Sequence, residues 1–598
     1  MSKDTVFENR IEALNRSVVK IEAAEKPVSG WEAVTQRLLN QILELIRISP
    51  KKQCIIGLDG YSGIDWQTML AQLKNSFQKG QFSISCINCE SYYKSEKELE
   101  DQFRPYLGDD PVFGRLYKKS IRSLFKQDSL KALKKELQRR KTEQKANSPR
   151  LVIFYGAGTA ISDLQSYFDI LVYFDLTRQE VLRRNKVWTK LAGKTQSISP
   201  KKLYYIDFQI HDRHRSRMLN KIDFYVDGNR EEKPVLISRQ LLIKATTGVA
   251  TSPFRLKPIY EPGPWGGQWL KKVRDLPDNW VNCAWSYEVI AQEQSLWIDV
   301  AGTILEIPWN TFFNLHYDRI MGSVPKKRFG GEFPIRYDYL DTMGGGDLSV
   351  QVHPTTAYIK SQFNEHYHQG EMYYIVAARS GSRVNLGLRA ETRAADFFRA
   401  AKLADEKSIP FNYHDYVFSV PSKKHDLLQI PPGTVHGSGE GQVVLEISAT
   451  TYRYTFKLYD HLRPDLNGVM RPVHLGHGFN VIKWFRKDSW VKKNLKQQPR
   501  LVREGNGWSE YLIGDRREFF HLVFRMEFVS QIEDDTAGKF HILTLVQGEC
   551  AKVVAADDPS KRYEFRYSET IIIPACLGKY KILNMGTTRC KIAKARLR

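Results

Sequence analysis

Helical and extended hydrophobic patterns alternate along the first 245 residues of this 598-residue chain. Apolar residues recur at intervals of three and four in WEAVTQRLLNQILELI (31–46), which predicts an amphipathic helix. A shorter stretch of the same kind, IEALNR (11–16), predicts a helix closer to the N-terminus. Continuous apolar runs in LVIFYG (151–156) and ILVYFDL (170–176) predict buried strands. Strands that alternate with helices in this way indicate an α/β domain.

Short strand patterns dominate the chain beyond residue 258, apart from one helical stretch, AADFFRAAKLA (394–404). After about residue 505, strands recur at FHLVF, FHILTLV, ETIIIPA and YKIL, with proline and small residues at the turns. The segment GVATSPFRLKP (248–258), with small residues and two prolines, marks the boundary between the two halves. The predicted organisation is an N-terminal helical segment (1–30), an α/β domain (31–245), a linker (246–257), a β domain with a short helical insertion (258–505) and a C-terminal β domain (506–598).

The formal net charge of +23 makes nucleic acid a partner to consider. Much of this charge lies in KKSIRSLFK (118–126) and KALKKELQRRKTEQK (131–145), where apolar residues recur at helical spacing. The basic residues are therefore interpreted as solvated helix faces, and nucleic acid is not the predicted partner. A basic balance also suits a protein whose substrate carries phosphate.

The cysteine count and the hydropathy pattern bear on location. Seven cysteines, an odd number, are scattered along the chain and indicate reduced thiols, and the lone pair Cys86 and Cys89 lacks the second pair that a zinc site would need. The chain contains neither a run of eighteen apolar residues nor a signal-peptide pattern, so we expect a cytoplasmic protein with no membrane partner. A homo-oligomer stays open.

Four side chains form the strongest candidate for chemistry. Gln351 and His353 are two apart in the strand pattern LSVQVHP, so both point to one face. Glu371 opens a second strand, and His436 follows a Pro-Pro-Gly turn that delivers the next one. Two imidazoles, a carboxylate and an amide oxygen that converge inside a β-barrel suit Zn²⁺ or a similar divalent ion. Such a ligand set leaves the metal a good Lewis acid, which makes a catalytic role plausible.

From about Pro258 to Arg598 the chain resembles the type I phosphomannose isomerases, which are zinc-dependent cupins. The resemblance rests on PWGGQWL (264–270), FPIRYDYLDT (333–342), LSVQVHP (348–354), IPPGTVH (430–436) and TTYRY (450–454), in the same order and spacing. It implies two cupin barrels, of which the second (506–598) is metal-free, and one Zn²⁺ per chain on Gln351, His353, Glu371 and His436. It also implies a mannose-6-phosphate isomerase acting on a phosphosugar, with Arg453 as the catalytic cation. Lys457 and Lys423 are our candidates for binding the substrate phosphate.

Three departures from the family pattern affect the cations of the site. Gln369 stands where the family has a lysine two residues before the metal glutamate. A second family lysine is replaced by Asp338, or by Leu340 when the position is counted back from Gln351, with Arg336 on the same face as Asp338 if no bulge intervenes. The family's Tyr-Asp pair is displaced to Tyr459 and Asp460. These changes keep two alternatives open: an isomerase for another phosphosugar, and a sugar-phosphate-binding or regulatory protein without turnover.

The α/β domain contains a glycine-rich turn, CIIGLDGYSGIDW (54–66), between a strand and a helix. Gly57, Gly60 and Gly63 are the candidate nucleotide-binding residues, because such turns wrap phosphates with backbone N–H groups. The surrounding pattern resembles the uridine kinase-like branch of P-loop kinases. Neither register of the turn, however, supplies the lysine and the hydroxyl residue of a working P-loop. We therefore expect a kinase-derived domain that has lost phosphoryl transfer and for which nucleotide is a doubtful cofactor; an active nucleoside kinase is the alternative.

The predicted fold is thus multidomain, with a P-loop kinase-like α/β domain followed by two β-barrel cupin domains.

Overall fold

A computed structural model describes residues 19–77, 82–143, 148–187, 199–451 and 453–598. The helix predicted at 11–16 lies outside these residues. The chain forms two compact units. One consists of Ser17–Val249 with Gln292–Tyr317, and the other contains Ala250–Ala291 with Asp318–Arg598. The predicted boundaries had placed residues 292–317 inside the 258–505 domain, whereas they pack with the α/β unit.

The elements up to residue 250 alternate as the hydrophobic pattern predicted. They are β1 (Val19–Ile21), β2 (Val28–Ser29), α1 (Trp31–Ile48), β3 (Gln53–Gly60), α2 (Trp66–Phe77), β4 (Ser83–Asn88), α3 (Glu96–Leu107), α4 (Gln127–Thr142), β5 (Arg150–Tyr155), β6 (Ile170–Asp175), α5 (Arg178–Val187), α6 (Pro200–Lys202), α7 (Phe208–Met218), β7 (Phe224–Asp227), β8 (Val235–Ser238) and α8 (Arg239–Ala250).

Strands then dominate the chain to its end. The elements are β9 (Ile259–Glu261), α9 (Trp269–Val273), β10 (Trp285–Val289), β11 (Ser295–Val300), β12 (Thr303–Pro308), α10 (Trp309–Met321), β13 (Ile335–Asp341), β14 (Val350–Val352), α11 (Thr356–Phe363), β15 (Glu371–Ala378), β16 (Arg383–Leu388), α12 (Ala394–Lys407), β17 (Val417–Pro421), β18 (Leu427–Ile430), β19 (His436–Ser438), β20 (Gln442–Ala449), β21 (Phe456–Tyr459), α13 (Leu475–Val481), α14 (Asp488–Asn494), β22 (Arg500–Gly505), β23 (Trp508–Gly514), β24 (His521–Phe528), β25 (Gln531–Asp535), β26 (His541–Gln547), β27 (Cys550–Ala555), β28 (Arg562–Arg566), β29 (Thr570–Ile573), β30 (Lys579–Asn584) and β31 (Cys590–Leu597).

The α/β unit is organised around a seven-stranded sheet with the order β2-β8-β7-β6-β3-β5-β4. The five strands from β4 to β7 pair in parallel, and β8 and β2 continue the sheet antiparallel. Every residue of the central strand β3 is buried, as its apolar sequence requires of a strand covered on both faces. The apolar face of α1 packs against the sheet through Val34, Leu38 and Ile42.

The segment 292–317 reaches the carboxyl ends of β6 and β7 within this unit. Its strands β11 and β12 form a separate three-stranded sheet with β1. The backbone N–H of Glu306 donates to Asp227 Oδ2 at 2.7 Å, and the hydroxyl of Thr311 donates to Asp175 Oδ2. Arg178, 5 % exposed, forms an ion pair with Glu293 at 2.8 Å. These contacts from far along the chain add to those that Asp175 receives from Arg215 and Tyr225 and that Asp227 receives from Asn229.

The other unit contains two pairs of sheets. In the first pair, a six-stranded sheet (β18-β15-β20-β13-β10-β9) and a five-stranded sheet (β17-β16-β19-β14-β21) enclose a core of aliphatic and aromatic side chains. A six-stranded sheet (β22-β23-β24-β31-β26-β29) and a four-stranded sheet (β25-β30-β27-β28) enclose the second core. The alternation along these strands places one side of each sheet in a core. Of the candidate metal ligands, Gln351, Glu371 and His436 lie on strands of the first pair, and His353 directly follows β14.

Among the described residues, no helix combines the length and the apolar character needed to cross a membrane.

Candidate metal site and cation cluster

His353, Glu371 and His436 converge inside the first pair of sheets. One ligand atom from each of them lies within 4.8 Å of the others, and all three side chains are buried. The Nε2 atom of His353 is 3.0 Å from Glu371 Oε2, and that of His436 is 2.7 Å from Glu371 Oε1. Gln351 adjoins them, because its amide nitrogen lies 3.2 Å from His436 Nε2. The structure therefore brings the four predicted ligands together.

Backbone carbonyls orient both imidazoles toward Glu371. The Nδ1 atom of His436 lies 2.9 Å from the carbonyl oxygen of Thr434, and that of His353 lies 3.3 Å from the carbonyl oxygen of Tyr454. A proton held on each Nδ1 by these carbonyls leaves the lone pair of Nε2 directed at the cluster. Such an outer hydrogen bond is the usual way in which a metal-binding histidine is held.

The donor set fits a divalent ion such as Zn²⁺. Glu371 Oε1 is buried, and no described residue donates a hydrogen bond of acceptable geometry to it, although His436 Nε2 is close. Rotating the Gln351 amide by 180° would turn Oε1 to the cluster and leave the nitrogen next to Ser349 Oγ, which now donates to Oε1 at 2.9 Å. Two imidazoles with carboxylate and amide oxygens form a tetrahedral-type set for zinc.

The protonation states also suit a metal. Burial lowers the pKa of His353, and Glu371 only partly opposes this shift. Burial favours the neutral form of Glu371, but the imidazoles of His353 and His436 outweigh it, so the pKa of Glu371 lies well below its usual value. A neutral imidazole and an ionised carboxylate are the forms that bind cations.

Gln369 contacts the carboxylate of Glu371, a candidate metal ligand, directly. Its amide nitrogen donates to Glu371 Oε2 at 3.3 Å, and the side chain is 2 % exposed. Its buried oxygen Oε1 has no hydrogen-bond partner among the described residues. The amide therefore holds Glu371 without adding a charge and keeps an acceptor available beside it.

Arg336 supplies a buried cation on the same face as Asp338. The β13–β20 register runs without a shift from residue 335 to 341, so no bulge separates the two side chains. Arg336 Nε lies 3.1 Å from Asp338 Oδ1, and another guanidinium nitrogen contacts Glu446. Burial raises the pKa of Asp338 to about 6 despite Arg336, and it raises that of Glu446 well above its usual value. Sequence reasoning left this placement conditional, and the register establishes it.

Three cationic side chains contact Asp460 close to the candidate metal ligands. Lys457 Nζ lies 3.0 Å, Arg471 3.2 Å and Arg463 3.3 Å from its carboxylate oxygens. Lys457 is directly opposite Gln351 in the β14–β21 pairing, so the two side chains point to the same face. Asp460 alone cannot neutralise three cations, and although Asp465 also acts on Arg471, the cluster keeps a net positive charge. The sequence analysis named Lys457 but missed the two arginines, whose loop positions follow no strand period.

The other two predicted cations have different surroundings. Arg453 lies in a turn just before β21, next to the Tyr454 carbonyl that His353 contacts. Lys423 is exposed in the turn between β17 and β18. That turn adjoins Ile375, which is four residues, about 13 Å, along β15 from Glu371. The structure brings Arg453 close to the cluster by its backbone and leaves Lys423 away from it.

In the α/β unit, the glycine turn is filled by its own side chains. A Cβ on Gly60 would approach the Trp66 ring to 3.1 Å, so the indole lies against the turn. Gly57 lies against Leu171 and Phe168, where a Cβ would collide with the Leu171 side chain at 2.7 Å. Gly63 has φ +94°, a conformation that favours glycine. The lack of a side chain at Gly57 therefore allows close packing against Leu171, and glycine at position 63 allows the backbone conformation of the turn.

Carboxylates use the N–H groups that such a turn offers to phosphate. Asp59 Oδ1 accepts from the backbone N–H of Gly60 at 2.7 Å. Asp65 Oδ1 accepts from the backbone N–H groups of Gln67 and Thr68 at 3.1 and 3.2 Å, at the start of α2. These are positions where a bound phosphate oxygen would lie in a working loop. These N–H groups are therefore occupied by carboxylates of the protein itself.

Comparison with known proteins gives one family model and several similar enzymes. A family model described as a domain of unknown function matches residues 30–251. The chain is 28 % identical over 241 residues to a mannose-6-phosphate isomerase of Bacillus subtilis, covering 39 % of this chain and 69 % of that one. A mannose-6-phosphate isomerase of Streptococcus mutans is 26 % identical over 228 residues, covering 36 % and 64 %. The crystal structure of the Bacillus subtilis enzyme aligns with 57 % of this chain and 99 % of that one at 18 % identity and a TM-score of 0.46.

Proposed function

We propose that this protein is a metal-dependent aldose–ketose isomerase that interconverts mannose-6-phosphate and fructose-6-phosphate. The observation that carries the proposal is the closeness of two complementary sites: the His353, Glu371 and His436 cluster, and the cations around Asp460. Similarity to enzymes named mannose-6-phosphate isomerase supports the choice of reaction and substrate.

The Asp460 cluster would bind the substrate phosphate. Burial and the neighbouring Arg471 and Arg463 lower the pKa of Lys457, although Asp460 opposes this shift. A phosphate dianion would relieve the repulsion among the three cations, because it adds the charge that Asp460 alone cannot supply. The position of Lys457 opposite Gln351 would then orient the sugar from its phosphate toward the ligand cluster.

Gln351, His353, Glu371 and His436 would hold Zn²⁺ or a similar ion. Such an ion polarises a carbonyl or hydroxyl oxygen, which eases removal of the proton on the adjacent carbon. Isomerisation also needs a group that accepts a proton at one carbon and returns it at the next. Asp338 and Glu446 are carboxyls on the inner face of β13 and β20, next to Arg336, and can hold such a proton. The Gln369 oxygen can accept a hydrogen bond from a sugar hydroxyl.

A second function, sugar-phosphate binding without turnover, is favoured by one observation. The two positions at which the resembled family has lysines hold Gln369 and Asp338, so the cations that could assist proton transfer there are absent. Arg336 is close by but is engaged by Asp338 and Glu446. In this case the chain would sense a phosphosugar, and its metal would be structural.

A coupled assay of fructose-6-phosphate formed from mannose-6-phosphate tests the proposal. Purified full-length protein would be measured before chelation, after chelation, and after return of zinc, with metal content determined in each sample. Turnover that is lost on chelation and restored by zinc supports the isomerase. Protein that carries stoichiometric metal and binds mannose-6-phosphate in calorimetry, yet gives no turnover, would overturn it in favour of the binding protein.

A further inference from the structure

The α/β unit contains a pocket that the isomerase proposal does not use. It is an open pocket, and its volume with the open mouth included is about 370 Å³. It lies beyond the carboxyl ends of β3 and β4 at the start of α2, the edge where open α/β sheets bind their ligands. The residues that decide its chemistry are Tyr61, Trp66, Glu90, Tyr93, Asp207 and His211.

Anions are disfavoured in this pocket. The N–H groups of Gly60, Gln67 and Thr68 already donate to Asp59 and Asp65. Lys202 is paired through both oxygens of Asp207 at 2.8 Å, so that cation is already neutralised. A phosphate or carboxylate in the pocket would be repelled by the Glu90 carboxylate, with no unneutralised cation among the lining residues to offset this.

The polar atoms that remain available are acceptors. Glu90 Oε1 accepts from Trp66 Nε1 at 3.0 Å and from the Ala157 N–H at 2.9 Å, whereas no described residue donates to Oε2. Glu90 also forms no ion pair with the described residues. His211 is 8 % exposed, and its buried Nδ1 has no hydrogen-bond partner among them. One uncompensated carboxylate and one unpartnered imidazole thus border the pocket.

Aromatic side chains complete the walls. Trp66 is fixed by its bond to Glu90, and Tyr93 by its hydroxyl, which donates to the Ala157 carbonyl at 2.5 Å. Tyr61 is held by its hydroxyl, which donates to Asp212 at 2.8 Å. Rigid aromatic rings beside a carboxylate attract organic cations, because the ring faces are negative and the carboxylate supplies the opposite charge.

We infer that this pocket binds a small organic cation of the amine, amidine or guanidine class, with Glu90 as its counter-ion and Trp66 and Tyr93 against its apolar body. One N–H group of the ligand would donate to Glu90 Oε2, and another would donate to His211 Nδ1. This inference stands apart from the isomerase proposal, since it concerns other residues in the other unit.

Calorimetry on the full-length protein with benzamidine, a planar aromatic amidinium, tests the inference. Wild type is expected to bind it, and Glu90→Gln, which keeps the shape but removes the charge, to bind about tenfold or more weakly. Glu44→Gln, at an exposed position of α1, is the matched control and should bind as wild type does. Mg²⁺-ATP should neither bind this pocket nor displace benzamidine.

Three results would overturn the inference: wild type that does not bind benzamidine, equal binding by Glu90→Gln, or displacement of benzamidine by Mg²⁺-ATP. Circular dichroism without the probe shows whether Glu90→Gln is folded. If it is not, Trp66→Leu replaces it as the test, because loss of the aromatic wall should weaken benzamidine severalfold, and unchanged affinity would contradict the inference.

Discussion

Gln351 and Lys457 face each other across the antiparallel pair β14 and β21, so a candidate metal ligand and a candidate phosphate-binding cation share one face. The metal cluster and the cation cluster are thereby tied by a single register. A slip of one residue would turn Lys457 away from Gln351, because successive side chains of a strand point to opposite faces. The predictions below begin with this pair.

Replacing Lys457 with methionine should weaken phosphosugar binding. A buried charge-assisted hydrogen bond contributes about 1.5–3 kcal/mol, so KM for mannose-6-phosphate should rise about 10- to 100-fold, with a smaller change in kcat. Lys423→Met is the control, because Lys423 is exposed in a turn away from the cluster. Steady-state kinetics of both variants checks this; equal effects would remove Lys457 from the phosphate site.

Removing a ligand imidazole should empty the metal site. His353→Ala leaves Glu371 and His436 without the third member of their cluster, and bound zinc should fall from stoichiometric to a small fraction. His414→Ala changes an exposed histidine and should leave the zinc content unchanged. Metal analysis after dialysis gives the answer, and full zinc content in His353→Ala would rule out the proposed ligand set.

Gln369→Leu should weaken zinc binding without unfolding the protein. The change removes the amide that donates to Glu371 Oε2, and loss of such an outer contact typically lowers metal affinity by about 10- to 100-fold. Gln429→Leu is matched in burial and lies on β18, where its amide contacts Gln497 instead. Zinc affinity is measured by competition with a chelator. The same affinity in both variants would show that Gln369 does not support Glu371.

His521→Phe should protect the protein from acid. His521 is fully buried, and burial lowers its pKa to about 3, with His368 and Arg598 adding to the shift. The unfolded chain takes up a proton near pH 6.5 while the folded chain does not, so this histidine costs stability as pH falls from 6.5 toward 3. Phenylalanine cannot titrate, so its advantage should grow by about 1.4 kcal/mol for each pH unit in that window.

Urea unfolding at pH 7.5 and 5.5 measures this difference. His414→Phe, at an exposed position, should show no gain that depends on pH. A stability difference between His521→Phe and wild type that stays constant across the two pH values would contradict the predicted neutral state of His521.

The sequence predicted that Gln351, His353, Glu371 and His436 come together because each of them lies in a strongly patterned segment. The strand period placed Gln351 and His353 on one face, and the turn before His436 located the next strand. Arg463 and Arg471 could not be found in the same way, because they lie on a loop that only the folded chain brings to Asp460. Arg336 needed the register of β13 to be known, since a single bulge would have reversed its direction.

The sequence pattern could not predict where residues 292–317 lie in the fold, for a related reason. SLWIDV and TILEIP are apolar enough to be read as strands, but a strand pattern does not say which sheet it joins. The contacts of Glu293, Glu306 and Thr311, within and around these strands, to Arg178, Asp227 and Asp175 span long stretches of chain. Local periodicity carries no information about such distant pairs, so the contiguous boundaries inferred from composition separated residues that pack together.

That segment also sets an order of events during synthesis. The ribosome must make β9 and β10 before it reaches Glu293, Glu306 and Thr311, so the α/β unit emerges incomplete until these residues, about forty to sixty positions beyond Val249, have been made. A chain ended near residue 250 would lose the Glu293 carboxylate from Arg178 and the Thr311 hydroxyl from Asp175, although the ion pairs of these residues with Asp212 and Arg215 would remain. A single crossover at the linker would therefore leave part of the α/β unit behind.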